Sequence, residues 1–231
     1  MRFLTARWEH LCLYTYAVPP DLLYPRLPKG LELDTLNGQA FVSLVAFRFA
    51  NTKVYGIPWP TFRHFAELNL RFYVRRGTER GVVFVREFVP QRLVAWAART
   101  LYNEPYLAAP LTHTITEHQD LITAVCCLTW QGRKHTLTMS GSKPSIRVAA
   151  DTVEHFFKEH QWGYNNDPKG RSVRYQVVHP EWEVYPVQNY ALDFEFASVY
   201  GAEWGFLQEQ QPCSLLFAVG SDIAVYSKSL L

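Results

Sequence analysis

The sequence predicts an α+β fold, mainly β, built on an antiparallel sheet that is curved or closed. Three observations lead there. Residues Ala66-Glu-Leu-Asn-Leu-Arg-Phe-Tyr-Val74 alternate apolar and polar without a break, which is the period of a strand, whose side chains point to opposite faces in turn. Further strand-like runs recur along the chain between Gly, Pro and Asn/Asp turn signals. Helical spacing of apolar residues appears in only two or three short stretches, so helices interrupt a strand-dominated chain.

Taken in order, Trp8 to about Tyr16 reads as a strand. The Pro19–Pro28 stretch allows only a short helix, because Pro25 and Pro28 cannot extend one. A long apolar strand follows from Gln39 to about Phe49, then a loop from Val54 to Pro60. The alternating strand and Gly81–Phe88 form a hairpin around Arg76-Gly77-Thr78. Gln91–Tyr102 carries a helical stripe of Leu93, Trp96, Ala97, Thr100 and Leu101, stopped by Asn103 and Pro105. Three strands fill Leu111–Gly141, with turns at His118-Gln119-Asp120 and Gln131-Gly132. A second helix is expected with Asp151 as N-cap, Glu154 three residues on, and Gly163 at its end. Arg171–Val178, Trp182–Val187, Leu192–Ser198 and Ser214–Ser227 read as further strands. No repeat, low-complexity tract or linker divides the chain, so one domain spanning 1–231 is expected.

The composition is that of a globular protein with a large core: 48% hydrophobic, 19% charged and 15% aromatic, with seven Trp. A net charge of +2 is too mild to suggest nucleic acid. Arg75, Arg76 and Arg80 gather around Gly77 and read as a solvated hairpin tip. The four cysteines have no C-x-x-C pair and no zinc-like spacing. They read as free thiols in a reducing compartment. No signal-peptide h-region opens the chain and no run of eighteen apolar residues occurs, so a cytoplasmic protein away from membranes is expected. Monomer and homo-oligomer both remain open.

No G-x-G-x-x-G, P-loop, H-E-x-x-H or nucleophile elbow is present. His155 and His160 are five apart on the second helix, and His113 and His118 five apart on one strand, so neither pair shares a face. With three convergent ligands needed for a catalytic zinc, no metal or other cofactor is expected. A lysine used in carbonyl chemistry must be a desolvated amine. None of the lysines lies in an apolar run, and Lys158 reads as part of a polar helix face. The polar face of the alternating strand, with Glu67, Asn69, Arg71 and Tyr73, is therefore the foremost candidate site. Facing a cavity, it would recognise a small molecule. Facing water, it would be the wet side of an ordinary sheet, and Glu67 and Arg71 would at most pair with each other.

The stretch Val18-Pro-Pro-Asp-Leu-Leu-Tyr-Pro-Arg-Leu-Pro-Lys-Gly-Leu-Glu-Leu-Asp34 with Gly38-Gln-Ala-Phe-Val-Ser43 resembles the opening of the acetoacetate decarboxylase-like superfamily. Phe65–Val74, Arg80-Gly-Val-Val-Phe84, Ala97-Ala-Arg99, Pro105-Tyr106 and His179-Pro-Glu-Trp182 are similar to its YqjF-like branch, a family of uncharacterised bacterial proteins with a domain of unknown function. The resemblance implies one domain in which a strongly bent antiparallel sheet forms a cone-like barrel around a ligand cavity. It implies an inward polar face, with Glu67 at the superfamily's catalytic glutamate and Arg99 at the arginine before the active-site loop. It also marks a departure: where decarboxylases carry Pro-Lys, this chain carries Pro105-Tyr106, and a phenol cannot form an imine.

Three functions follow as expectations. In the first, the cavity binds a small, partly apolar organic acid: Arg71 or Arg99 holds the carboxylate, Asn69 and Tyr106 orient it, and Tyr73, His179 and Trp182 line the pocket. In the second, the protein is a lyase or isomerase of an oxo or hydroxy acid without imine chemistry, with Glu67 as general base and Tyr106 as proton donor. In the third, the barrel is filled and the protein has a structural or regulatory role.

Overall fold

The computed structural model describes every residue except 59–61 and 150–151. The strands, in chain order, are β1 (Arg2–Val18), β2 (Glu32–Leu33), β3 (Ala40–Val54), β4 (Ile57–Pro58), β5 (Phe65–Arg76), β6 (Glu79–Val89), β7 (Tyr106–Ala108), β8 (Leu111–His118), β9 (Leu121–Trp130), β10 (Arg133–Ser142), β11 (Trp162–Asn166), β12 (Ser172–Val178), β13 (Val184–Tyr185), β14 (Val187–Asp193), β15 (Ser214–Tyr226) and β16 (Ser229–Leu230). The helices are α1 (Arg92–Tyr102), α2 (Val153–Lys158) and α3 (Phe196–Tyr200).

Twelve strands form one strongly curved sheet. Strands β15, β1, β3, β5, β6, β11 and β12 follow one another, and β12 pairs back onto β15. The ring closes only partly, because that last pairing joins just Val177 to Val225 and Val178 to Ala224. Most pairings are antiparallel; β11 and β7 run parallel to β6. Strands β14, β10, β9 and β8 form a second, four-stranded sheet.

Alternation along each ring strand divides the interior in two. On β5, Leu68, Leu70, Phe72 and Val74 pack into the larger core beneath the second sheet and α3. Their neighbours Glu67, Asn69, Arg71 and Tyr73 point the opposite way and are buried too. Strands β1 and β3 do the same: Tyr14, Tyr16, Val42 and Leu44 enter the larger core, while Leu13, Val45, Phe47 and Phe49 enter a second one. From Phe65 to Val74 both faces of β5 are buried.

Several expected elements change. The Pro19–Pro28 stretch forms two 3-10 turns, Pro20–Leu22 and Tyr24–Arg26. The expected loop after β3 contains β4, and Pro60 lies outside the described residues. Asp151 also lies outside them, and the observed N-cap of α2 is Thr152, whose side chain accepts from the His155 amide at 3.2 Å. Helix α2 ends at Lys158, and Gly163 belongs to β11 rather than to a helix stop. The expected strand over Leu192–Ser198 divides into the end of β14 and the start of α3. Leu192, Phe194 and Phe196 mimic a strand period, but Phe196, Val199 and Tyr200 are also spaced for one helical face and bury together.

Candidate functional site

The second interior face of the ring encloses a cavity of about 400 Å³. Phe47, Phe49 and Phe65 give it an aromatic wall, with the Phe49 and Phe65 rings stacked at 4.6 Å. Leu93, Trp96 and Leu101 of α1 line it while remaining 46–56% exposed, so this helix borders the mouth. The barrel is therefore not packed solid.

Register brings the polar groups together. Asn69 of β5 lies opposite Glu87 of β6, and Glu87 lies beside Tyr106 of β7. Tyr106 Oη donates to Glu67 Oε2 at 2.6 Å, and Asn69 Nδ2 donates to Glu67 Oε1 at 3.0 Å. Glu104, just ahead of β7, and Tyr175 of β12 complete this end. Gly163 faces Tyr175 across the β11–β12 pair, and the phenol ring occupies the space a side chain would need there.

These acids are almost dry. Burial lifts the Glu67 carboxyl to about 7, against the hydrogen bonds from Tyr106 and Asn69 that favour its anion. Burial, then the neighbouring Glu67 and Glu104, lift Glu87 well above the ordinary range. Burial also lifts Glu104 to about 7, with Tyr175 and Asn165 opposing. Tyr106 and Tyr175 are pushed well above 10, first by burial and then by these acids, so both remain donors.

Arg71 forms the other end of the polar line. A β-bulge between Leu70 and Arg71 interrupts the pairing with β6 beside it. Its side chain is buried, Nη2 donates to the Phe157 carbonyl at 3.2 Å, and Nε has no partner. Glu67 and Arg71 form no ion pair with each other: Glu67 takes Tyr106 and Asn69 as its partners. Lys158 stands nearby on the cavity lining. The sequence placed it on a solvated helix face, yet its side chain is 1% exposed and ion-paired to Glu159. Helix α2 is only one and a half turns long and lies with Phe157 and Lys158 turned inward, which its local pattern did not reveal. His160 also lines the cavity, 3.8 Å from Asp34, with burial lowering its pKa to about 4.

Other expected site residues lie elsewhere. Tyr73 shares the face of Arg71, but Phe156, Phe157 and His160 cover it and its hydroxyl meets Ser43. It packs in a small separate cluster with Phe41, Val82 and Phe157. Arg99 is exposed on the outer side of α1 and reaches only the Tyr106 carbonyl, at 3.3 Å; its neighbours Ala98 and Leu101 line the cavity and it does not. Trp182 lines the cavity, whereas His179 sits behind it, stacked on the indole at 4.3 Å. Glu87, Glu104 and Tyr175 were not singled out by sequence, where Lys158 read as part of a polar helix face and His160 as a histidine sharing no face with His155. Glu87 stands in the apolar run Val-Val-Phe-Val-Arg-Glu-Phe-Val, where an acid at a buried position was the available signal. Among the described residues, no three His, Cys, Asp or Glu side chains converge as metal ligands, and no helix is long and apolar enough to cross a membrane.

Comparison with solved structures shows the acetoacetate decarboxylase-like fold. Acetoacetate decarboxylase from Legionella pneumophila matches all of this chain and 86% of its own, with a TM-score of 0.63 at 15% identity. The enduracididine biosynthesis enzyme MppR with bound HEPES matches all of this chain and 88% of its own, with a TM-score of 0.70 at 13% identity. Among curated proteins, the uncharacterized protein YqjF of Bacillus subtilis is 35% identical over 105 residues, 45% of this chain and 43% of that one. The matched stretch thus covers less than half the length of that relative. The family model of DUF2071, described as an uncharacterized conserved protein, matches residues 5–222. The chain belongs to the DUF2071 family and has the acetoacetate decarboxylase-like fold.

Proposed function

We propose that the cavity binds a small, partly apolar organic acid, with Arg71 holding the carboxylate. One observation carries this reading: a buried guanidinium that lines an apolar cavity and has no acid partner. A buried charge is costly unless paired, and a carboxylate matches the guanidinium fork. The aromatic wall supplies the apolar contact, and Lys158, ion-paired to Glu159, stands on the same lining. The test is titration calorimetry with octanoate on the wild type and on Arg71→Met. The variant is expected to bind about tenfold or more weakly with an unchanged or higher thermal midpoint, since it also removes an unpaired buried charge. Equal affinity for the two proteins overturns the reading.

A second reading, a non-imine lyase or isomerase, is favoured by the 2.6 Å Tyr106–Glu67 contact together with a carboxyl raised to about 7. Such a group can take a proton from carbon near neutral pH, and Tyr106 can return one to oxygen. Pyruvate, with which MppR has been solved, is a suitable probe. In deuterated water its methyl protons are expected to exchange faster with the wild type than with Glu67→Gln, followed by proton NMR. Equal exchange removes Glu67 as a base.

A further inference from the structure

The cavity is lopsided in hydrogen-bonding capacity. Around Glu67 the side-chain atoms left without a partner are mainly acceptors; elsewhere on the lining the Trp8 indole N–H and the Thr52 hydroxyl are unpartnered too. Neither oxygen of Glu104 has a hydrogen bond, nor does Oε1 of Glu87, nor the side-chain carbonyl of Asn69. All three residues line the cavity and are at least 96% buried. Asn69 matters separately from the acids. Its amide nitrogen is spent on Glu67, so its neutral oxygen faces the same shortage. The available donors there are Tyr106, already committed to Glu67, Tyr175, and the Asn165 amide, which donates to the Tyr102 carbonyl. Among the described residues no Lys or Arg forms an ion pair with Glu67, Glu87 or Glu104; Lys158 is taken by Glu159. Buried acceptors without donors are as unfavourable as buried donors without acceptors. A ligand with several N–H groups and a positive charge relieves both deficits at once.

We infer that the ligand is a zwitterion: a carboxylate at Arg71 and a protonated amine, or a similar nitrogen cation, among Asn69, Glu87 and Glu104. This deepens the carboxylate reading and rests on it for the Arg71 end. Strand geometry sets the scale: Asn69 is two residues from Arg71 on β5 and Glu87 lies opposite Asn69 on the next strand, roughly 7–9 Å from Arg71 between Cα atoms. An unbranched chain of several methylenes along the aromatic wall spans the two polar ends.

The test compares octanoate, 8-aminooctanoate and octylamine by calorimetry at pH 8, where the acids that titrate near 7 are charged and the amine is still an ammonium. We expect 8-aminooctanoate to bind about tenfold or more tightly than octanoate. In Glu104→Gln that preference should shrink to about threefold or less, while octanoate itself still binds. If octanoate binds the wild type as well as 8-aminooctanoate does, the inference is wrong and the carboxylate reading stands. If octylamine binds as well as 8-aminooctanoate, the acidic end is supported and the carboxylate at Arg71 is overturned. If none of the three binds, both fail. The wild-type comparison decides the inference even if the variant does not fold.

Discussion

Glu67 illustrates how a single carboxyl acquires its chemistry from its surroundings. Burial alone would hold it protonated, and the Tyr106 hydroxyl and Asn69 amide pull in the opposite direction by favouring the anion. Its titration near 7 is the balance between them. Removing the phenol hydroxyl in Tyr106→Phe deletes the donor at 2.6 Å and leaves burial less opposed. The Glu67 carboxyl should then move further up, seen as a protonated-carboxyl infrared band that persists to higher pH in the variant than in the wild type. An unchanged profile would mean that the Tyr106 hydroxyl does not set the carboxyl. Arg71 is the opposite case, a charge with a carbonyl contact and no acid, and the proposed function rests on it.

At the scale of elements, the seam between β6, β11 and β12 brings Tyr175 to the acidic end. At the parallel pairing of β6 and β11, Gly81 lies opposite Trp162 and Gly163 opposite Val82. A Cβ on Gly163 would run into the Tyr175 ring at Cζ and meet its hydroxyl at 2.5 Å. Gly163→Ala therefore has to displace that ring, an overpacking change that costs about 1–3 kcal/mol. The thermal midpoint should fall by several degrees, at roughly 2–4 °C per kcal/mol for a chain of this size. A midpoint equal to wild type would show that the ring has room to move. Helix α2 works by position instead: its capped first turn is exposed at Val153, whereas Phe157 and Lys158 at its end close the Arg71 side of the cavity.

Across the whole molecule, the buried titratable groups make stability depend on pH, and the sign follows from the direction of each shift. Glu67, Glu87 and Glu104 are raised in the folded state. The folded chain thus holds their protons where the unfolded chain has released them, and stability falls as pH rises through the folded values. His113 and His160 are lowered to about 4 by burial. Their contribution is complete above the ordinary histidine value and is lost as pH falls toward 4. Between about pH 4.5 and 6.5 the two sets oppose each other; above about 6.5 only the acids act. The thermal midpoint should therefore fall between pH 6.5 and 8. Glu104→Gln should flatten that fall and raise the midpoint at pH 8 by a few degrees, since an unsatisfied buried group costs about 1–3 kcal/mol. A midpoint that rises from pH 6.5 to 8 in the wild type would contradict the buried acids.

The sequence by itself determined the strands that carry strict alternation, the hairpin of β5 and β6, the meander of β8, β9 and β10, and α1 with its Asn103 stop. In each of these, local period and turn chemistry agree with the final packing. It also determined that Glu67, Asn69 and Arg71 share one face, because that depends only on the two-residue repeat of a strand. Whether that face meets water or a cavity was a matter for the tertiary structure, since alternation is the same in both cases. The partial closure of the ring turned the face inward and set Glu87, Glu104 and Tyr175 against it from strands and loops distant in sequence. It left Arg99 outside and covered Tyr73 with α2. Lys158 shows the reason most plainly. A short helix with one charged residue at its end looks solvated in sequence, and only the wall it packs against decides whether that charge meets water or an enclosed space.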